Sequence, residues 1–417
     1  MRILSLYLFF ISFLFSFIAS AQIESQKLGE ATPPFHTGTS VAVSPRNNKN
    51  IIVYAGGKLK YTNDMGATWI ESSFVFPPDI ETPTLSADAK GNFYIFFSSA
   101  NQLLSFHSTD DGKTWSEHIP VATRQGKVMI NPGVVAHPKK EDLLITWTEM
   151  DSLGAKSDDC KSEIMMSKSG NGGKKWNEPV LVNQVAGNCI DEDFTVRGSM
   201  PLIAFDGKEF ITWAYQGAMF YDRSYDGSMW ISTDLAIREQ AGGWTLTVPG
   251  FGKVANTPSF TGDNSPSRMK GTLFLAYSDL KAGEGDPDIW LTRSVSRGDS
   301  WTTVARINQD KPGHLQFLPK MVIDQANGHI YIVYYDRRDY TDNQTDVYLA
   351  YSFDGGNQFK EKKLTEKPFV ADENTTSYLT NFIGISASKG VVVPVWIAMN
   401  NGKQETYASV IKVEDLK

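Results

Sequence analysis

The sequence has few of the residues, and none of the short motifs, that mark metal and nucleotide enzymes. It contains six histidines, and none stands in an H-E-x-x-H or H-x-H spacing, which argues against a zinc enzyme. It has no phosphate-binding glycine loop, dinucleotide fingerprint or G-x-S-x-G nucleophile turn. A D-x-D-x-D-G calcium loop is also missing, although clustered acidic residues leave a structural calcium ion open. The sequence therefore predicts no cofactor, with structural calcium as the one alternative.

Cysteine is almost absent. Only Cys160 and Cys189 occur, and neither has a histidine or a further cysteine at ligand spacing, so a metal pair is not indicated. In an exported chain both thiols would meet an oxidising compartment. We therefore expect a disulfide bond between Cys160 and Cys189.

A surplus of positive charge and a second long apolar segment are missing as well. The formal net charge is −7, which is poorly suited to binding phosphate backbones, so no nucleic-acid partner is expected. The one long apolar run, residues 3–19, follows Arg2 and ends in the small residues Ala19, Ser20 and Ala21, as at a signal-peptide cleavage site. An uncleaved membrane anchor is the rival interpretation, because the run is nearly long enough to span a bilayer. We expect residues 1–21 to be a cleaved signal peptide, residues 22–417 to form one domain without a membrane span, and the protein to be secreted or periplasmic.

What the sequence has instead is a repeated turn motif. The pattern S-x-D-x-G-x-T-W occurs at residues 108–115, and the same order of residue types occurs at residues 62–69. In such a motif the carboxylate accepts hydrogen bonds from backbone N–H groups, the glycine takes a positive φ, and the aromatic ring packs between neighbouring sheets. The motif therefore predicts a tight structural hairpin turn. More divergent copies lie at residues 169–176, 294–301 and 352–359, and a shortened copy lies at residues 224–230.

The segments around these motifs predict an all-β fold. Each copy is preceded by two or three strand-like segments and followed by another, with a period of roughly 45 to 60 residues, which is typical of a β-propeller with four strands per blade. A seventh unit, residues 382–413, has three strands and no motif, and residues 22–29 could supply its fourth strand and close the ring. Seven four-stranded blades are therefore predicted. Six blades with a C-terminal appendage is the alternative.

The motifs also predict which face of the disc carries function. If they join the third strand of each blade to the fourth, they occupy one face. Functional chemistry is then expected on the opposite face, where the innermost strands meet at a central funnel.

Three charged segments are expected on that opposite face. Two are the acidic loops 149–160 and 183–197, which the disulfide would join beside Arg197. The third is Tyr-Tyr-Asp-Arg-Arg-Asp-Tyr at residues 334–340, whose rings could contact a sugar while its charges bind hydroxyls or carboxylates. The alternative is that these acids and arginines pair with one another and only hold the loop. Paired carboxylates could also cleave a glycoside if they lie about 5 to 10 Å apart.

The motifs at residues 62–69 and 108–115 resemble the Asp-box or BNR repeats of the sialidase superfamily. The last third of the chain resembles secreted bacterial BNR-repeat proteins in residues 334–338, 346–348, 352–356, 382–385 and 395–396. The resemblance covers nearly the whole predicted mature chain. It implies a sialidase-like propeller.

Sialidases of this superfamily hold the substrate carboxylate with three arginines, use an aspartate as acid/base, and use a tyrosine activated by a glutamate as nucleophile. The first of those arginines sits in an R-I-P motif in the first blade, which this chain lacks, because Arg46 lies in a predicted turn. From loop position, we expect a different set of site residues at the funnel. The expected catalytic residues are Asp191, Asp336, Tyr335 and Tyr378, and the expected substrate-binding residues are Arg124, Arg197, Arg337 and Arg338.

Two functional classes follow. The first is a secreted glycan-active enzyme, either an exo-sialidase-like glycosidase or a polysaccharide lyase. The second is a non-catalytic propeller that binds glycan or protein at the cell surface. The missing first-blade arginine disfavours sialic acid but leaves other sugars open, and fold analogy does not decide between the classes. We expect a monomer with a glycan or polysaccharide ligand.

Overall fold

The protein is an all-β propeller of seven four-stranded blades, as the motif spacing predicts. The computed structural model describes residues 23–31, 38–77, 80–99, 101–224, 230–283, 285–371, 381–400 and 403–417. The expected signal peptide, residues 1–21, lies outside the described residues. In every blade the strands are antiparallel. In the first six blades the four main strands follow chain order from the innermost to the outermost.

The first four blades follow one another along the chain without rearrangement. Blade 1 contains β2 (Ser40–Val43), β3 (Ile51–Ala55), β4 (Lys58–Thr62) and β5 (Ile70–Glu71). Blade 2 contains β6 (Thr84–Ala87), β7 (Phe93–Ser99), β8 (Gln102–Ser108) and β9 (Ile119–Thr123). Blade 3 contains β10 (Val128–Ala136), β11 (Leu143–Met150), β12 (Ser162–Ser169) and β13 (Val180–Leu181). Blade 4 contains β14 (Arg197–Ile203), β15 (Glu209–Tyr215), β16 (Ala218–Ser224) and β17 (Leu235–Glu239).

An additional hairpin separates blade 4 from blade 5. It is formed by β18 (Thr245–Val248) and β19 (Gly252–Ala255). Blade 5 contains β20 (Ser259–Gly262), β21 (Leu273–Asp279), β22 (Asp288–Ser294) and β23 (Ala305–Arg306). Blade 6 contains β24 (Gln316–Asp324), β25 (His329–Asp336), β26 (Gln344–Ser352) and β27 (Lys360–Lys363), and β28 (Phe369–Val370) also pairs with β26. Two short 3-10 helices, Leu280–Ala282 and Val413–Leu416, complete the described elements, and no helix among the described residues is long and apolar enough to cross a membrane.

Blade 7 closes the ring with a strand from the other end of the chain. It contains β29 (Ile383–Ser388), β30 (Val391–Asn400) and β31 (Lys403–Ala408), and β32 (Ile411–Lys412) also pairs with β30. Its outermost strand is β1 (Gln26–Ala31), which pairs antiparallel with β31. The predicted closure by the N-terminal segment is confirmed, with the strand lying slightly further along the chain than expected.

The second strand of each blade is buried along most of its length rather than alternating between buried and exposed residues. In β3 all five residues are buried, and in β11 all eight are. A strand in the middle of a blade has another blade packed on each of its two faces, so both sets of side chains must be apolar or internally paired. The core therefore consists of seams between blades, such as the one where Val41 and Ile51 pack with Val391 and Val393.

The turn motifs lie between the third and fourth strands, where they were predicted. In the copy at residues 108–115, Asp110 Oδ1 accepts hydrogen bonds from Ser108 Oγ at 2.8 Å and from Thr114 N at 2.9 Å, and Gly112 has φ 87°. Trp115 Nε1 donates to Ser72 Oγ of the preceding blade at 3.2 Å. Gly112 N also donates to Ser108 Oγ at 3.0 Å. The glycine N–H donates in the same way to the Ser or Thr hydroxyl at the first position in the copies at residues 62–69, 169–176, 294–301 and 352–359. Part of the shortened copy, residues 225–229, lies outside the described residues.

Hydrogen bonds join neighbouring blades at every junction of the ring. The inner strands each have one edge without a neighbouring strand, so their backbone groups need other partners. These bonds run from Val43 N to Ser386 Oγ, Leu85 N to Ser40 Oγ, Thr84 Oγ1 to Pro132 O, Thr146 Oγ1 to Ser199 O, Phe260 N to Met200 Sδ, Met321 N to Ser259 Oγ and Tyr335 OH to Phe382 O. The walls of the central channel are therefore fixed relative to one another.

The predicted disulfide is confirmed. Cys160 and Cys189 are joined with an S–S distance of 2.08 Å, and both residues are buried. The bond connects the loop after β11 to the long loop before β14. It therefore restrains two irregular segments that the blade ladders do not hold.

Replacing both cysteines by alanine should lower the free energy of unfolding by about 3–4 kcal/mol. The bond closes a loop with a sequence separation of 29, and the entropy restored to the unfolded chain gives this magnitude. Denaturant unfolding of the oxidised protein and of the double variant measures the difference. Reduced wild-type protein is the control and should match the variant; equal stability of all three would contradict the prediction.

Candidate functional site

A cavity of about 270 Å³ lies on the ring axis and is lined by the innermost strand or its preceding residues in all seven blades. We call it the axial channel. The lining residues cluster towards the beginning of those strands, on the side opposite the turn motifs, because the first strand of each blade runs towards the motif face. The hydroxyl and amide side chains in the lining include those of Thr39, Thr84, Asn131, Ser199, Thr257 and Asn381.

Three of the inner strands bulge where they meet the axial channel. The register with the second strand shifts in blades 3, 4 and 6. Asn131, Gly198 and Leu318 have φ of 51°, 67° and 55° at these positions. A positive φ is strained for a branched side chain such as leucine, and a bulge redirects the side chains beside it. The bulges therefore shape the channel wall, and Lys320 follows the one in blade 6.

Lys320 is the only charged residue among the described residues that line the axial channel. It is partly exposed, and no described residue forms a hydrogen bond or an ion pair with its ammonium group. Burial among the channel walls lowers the pKa of Lys320 from 10.5 to about 8, and no carboxylate counteracts this desolvation. The lining thus contains one cation that has no counterion among the described residues.

The predicted residues Asp336 and Arg338 are brought together, but away from the axial channel. Arg338 Nη2 lies 2.6 Å from Asp336 Oδ2 and 2.7 Å from Glu361 Oε1, and its guanidinium lies over the Tyr348 ring at 4.1 Å. Burial raises the pKa of Asp336 against the opposing effect of the arginine. Tyr334 donates a hydrogen bond to Glu361 in the same group.

This group has the residue types of a sialidase nucleophile pair without its accessibility. Tyr334 is fully buried and packs with the seam between blades 5 and 6. Burial, followed by the charge of Glu361, raises the pKa of the Tyr334 hydroxyl well above its ordinary value of 10.0. A buried hydroxyl held in the neutral form is a structural hydrogen-bond donor here. Sequence reasoning expected Tyr334 in a sugar-contacting segment, 334–340, and missed Glu361.

Tyr335 and Arg337 have structural positions in place of the predicted catalytic and substrate-binding ones. Tyr335 is fully buried, and its hydroxyl lies 2.9 Å from the carbonyl oxygens of Phe382 and Ile397 in blade 7. Arg337 Nη2 donates to Pro249 O at 2.7 Å, which holds the β18–β19 hairpin against blade 6. Burial lowers the pKa of Arg337 to about 10. Both side chains therefore connect elements of the fold.

Each of the other two predicted arginines is bound by a carboxylate of its own. Arg197 Nε lies 3.1 Å from Asp191 Oδ1, and both residues are buried. Arg124 Nη2 lies 2.9 Å from Glu149 Oε1. The described contacts therefore place Arg124, Arg197 and Arg338 with three different acids, and none joins them around one position. The remaining predicted residue, Tyr378, lies outside the described residues.

The ion pairs neutralise pairs of facing carboxylates that recur in blades 3, 5 and 6. Two carboxylates stand directly opposite each other on the second and third strands, and such like-charged neighbours are destabilising. The facing pairs are Glu149 with Glu163, Asp279 with Asp288, and Asp336 with Asp346. The cations bound to them are Arg124 on Glu149, Arg306 on Asp288, Arg338 on Asp336 and Lys363 on Asp346. Among the described residues, no group of three or more His, Cys, Asp or Glu is placed to hold a metal ion.

No protein-family model matches the chain, and no curated protein matches it. Solved structures do. The Hadza microbial sialidase Hz136 is 12% identical with a TM-score of 0.50, covering 89% of this chain and 75% of its own. The K499G mutant of the NanB sialidase from Streptococcus pneumoniae is 10% identical with a TM-score of 0.51, covering 81% and 68%. A polysaccharide lyase of family PL25, an ulvan lyase, is 11% identical with a TM-score of 0.52, covering 92% and 96%.

The structural neighbours are sialidases and related propeller glycosidases and lyases. At these identities the likeness concerns the fold alone. It agrees with the resemblance drawn from the turn motifs, and it assigns no residue a role.

None of the predicted site residues that the structure describes lines the axial channel, and sequence reasoning missed Lys320. One signal was present in the sequence. Asn131-Pro132 and Leu318-Pro319 each place a proline inside an otherwise apolar strand, and proline there marks a bulge or an edge. The position of a lysine directly after such a proline could have indicated a special backbone position, but not that it faces the axis.

The variant Arg338→Ala should lose about 3–5 kcal/mol of stability. It leaves the buried Asp336 and the half-buried Glu361 without their cation, and an uncompensated buried charge has this cost. Thermal unfolding measures the effect, with Arg46→Ala, at an exposed arginine, as the control that should leave the midpoint unchanged. Equal midpoints for both variants would show that the group is not structural. The stability measurement is needed because a loss of glycan binding in Arg338→Ala could result from unfolding alone.

The variant Lys320→Met should be more stable than the wild type by about 3 kcal/mol at pH 7. The folded-state pKa of Lys320 is about 8, below the unfolded value of 10.5, so the charged amine destabilises the folded state at pH 7. Wild-type stability should recover as the pH rises from about 8 to 10.5, and the difference between the proteins should vanish there. Denaturant unfolding at pH 7 and pH 10.5 measures both values. A less stable variant at pH 7 would contradict the prediction.

Proposed function

We propose that the chain is a secreted or periplasmic sialidase-like propeller that recognises glycans in its axial channel. The observation that carries the proposal is the channel itself, a cavity walled by all seven blades and lined with hydroxyl and amide groups. Neutral polar side chains that surround an enclosed space offer hydrogen bonds to sugar hydroxyls, and the apolar parts of the wall suit the sugar ring. The solved neighbours include sialidases and an ulvan lyase, which supports a glycan ligand.

The size of the channel supports recognition of a single sugar unit. Pockets for drug-sized ligands begin at about 300 Å³. The axial channel, at about 270 Å³, has room for a small ligand but not for several linked sugars. We therefore expect it to bind a monosaccharide or the end of a glycan chain.

Recognition is better supported than hydrolysis. A glycosidase needs two carboxyl groups that flank the scissile bond. The predicted acids Asp191 and Asp336 are buried against arginines, and no carboxylate is among the described residues that line the channel. Hydrolysis or elimination is therefore the second candidate, favoured only by the activities named for the structural neighbours.

Export is supported by two features. The expected signal peptide would direct the chain out of the cytoplasm. The Cys160–Cys189 disulfide suits an oxidising compartment.

Filling the axial channel should abolish glycan binding. Thr257 lines the channel and is partly exposed, so Thr257→Phe places a ring in the cavity. The matched control is Thr341→Phe, at an exposed position in the loop between β25 and β26. Mature wild-type protein is screened against an array of glycans, and hits are titrated by calorimetry and assayed for turnover.

The expected result is at least about tenfold weaker binding in Thr257→Phe and unchanged binding in Thr341→Phe. Thermal unfolding of both variants shows whether they are folded. Binding that survives in a folded Thr257→Phe variant would remove the channel as the site. Absence of any glycan ligand for the wild type would overturn the proposed function, and turnover would favour the enzyme.

A further inference from the structure

The axial channel combines a neutral lining with a single ammonium group. We propose that Lys320 is the anion-recognising residue of this channel, and that the ligand is an acidic sugar unit whose carboxylate or sulfate group binds there. The inference rests on the proposed function, since it names the class of glycan that the channel takes. It goes beyond that function because a neutral sugar could bind in the channel through its hydroxyls alone, without any contact to Lys320.

The other buried cations of the described chain show why Lys320 is exceptional. Arg197 is buried and Arg306 and Arg338 are half-buried, and each lies within 3.1 Å of a carboxylate. Arg337 is buried without an ion pair, but it donates to Thr345 Oγ1 at 3.0 Å and to Pro249 O at 2.7 Å. Lys168 likewise lies 2.6 Å from Glu209. A cation removed from water without a partner is unfavourable, so proteins normally pair it. At Lys320 no described group does so, and an anionic ligand would supply the missing partner.

The wall around Lys320 favours an anion over a cation or a neutral ligand. The inner strands of the seven blades contribute no other titratable side chain to the described lining. Glu81 is not among the lining residues, and its carboxylate accepts a hydrogen bond from the backbone N–H of the lining residue Asn131 at 3.1 Å. Hydroxyl and amide groups such as those of Thr257 and Asn381 could donate to the remaining oxygens of a carboxylate or sulfate.

The position of Lys320 is set by the backbone rather than left to a mobile loop. Leu318 at φ 55° and Pro319 form the bulge that precedes it, and Lys320 stands opposite Val333 of the next strand. Directly after it, Met321 N donates to Ser259 Oγ of blade 5 at 2.9 Å. Strained backbone that the surrounding structure holds in place is concentrated at ligand sites. The lysine is therefore presented to the channel in a fixed location.

The charge of Lys320 can also be switched over an accessible pH range. Burial gives it a pKa of about 8, so it is protonated at pH 7 and neutral at pH 9.5. Carboxylated and sulfated sugars stay anionic throughout this range. A fall in affinity between the two pH values would therefore come from the protein and not from the ligand.

The test compares four sugars on the full mature protein. Glucuronate and N-acetylneuraminate carry a carboxylate, glucose 6-sulfate carries a sulfate, and glucose is the neutral reference. Dissociation constants are measured by ligand-observed NMR and calorimetry at pH 7 and pH 9.5 for the wild type and Lys320→Met. We expect at least one acidic sugar to bind at least tenfold more tightly than glucose at pH 7. That preference should disappear in Lys320→Met and in the wild type at pH 9.5, while glucose binding changes less than twofold.

The outcomes separate this inference from the proposed function. The measurements with the carboxylated sugars and with glucose 6-sulfate show which acidic group the channel binds. If the wild type binds neutral sugars as tightly as acidic ones, or if a folded Lys320→Met variant keeps the preference, the role of Lys320 is refuted and the glycan function stands. If no sugar binds to the wild type, while the variant is folded and more stable as expected, both proposals fail together.

Discussion

The unpaired edges of the inner strands are the constraint on which the rest of the structure depends. Seven strands converge on one axis, and each has a row of backbone groups that no further strand can satisfy. Side chains such as Ser40, Ser259 and Thr84 supply partners across the junctions. The same bonds hold the ring together and set the width of the axial channel. A channel of this kind is therefore as rigid as the core, which suits it to a small ligand that must be recognised by placed polar groups.

Charge is handled differently in the seams and in the channel. In blades 3, 5 and 6 carboxylates face each other across two strands, and cations such as Arg338 and Lys363 neutralise them. These are the residue types that bind acidic sugars in other proteins, but here they bind the protein's own acids. In the channel the balance is reversed, since Lys320 has no acid among the described residues. In a chain with a formal net charge of −7, the one charged residue of the described channel lining is thus a cation.

The position of Lys320 lowers the stability of the folded protein but provides a charge for ligand recognition. Burial disfavours the charged form of Lys320, and the bulge that places it contains a leucine with a positive φ. Neither feature improves the packing of blade 6, and an apolar residue would suit the wall better. Features that lower stability at one position are expected where a binding site requires them. The axial channel is for this reason a stronger candidate than the well-compensated groups around Asp336 and Asp191.

Much of the architecture could be predicted from the sequence because it depends on local or periodic features. The motif at residues 108–115 determines its own turn through the hydrogen bonds of Asp110 and the positive φ of Gly112, so the number of blades and the motif face followed from its spacing. Ring closure by the N-terminal strand followed from a missing fourth strand, and the disulfide followed from the presence of only two cysteines. The candidate site did not follow, because it depends on which side chains from different blades share a space. Arg338 and Lys320 are both basic residues of blade 6, the first shortly after β25 and the second in β24. Only the closed ring decides that Arg338 lies beside Asp336 and Glu361, while Lys320 lines the axis with no counterion among the described residues.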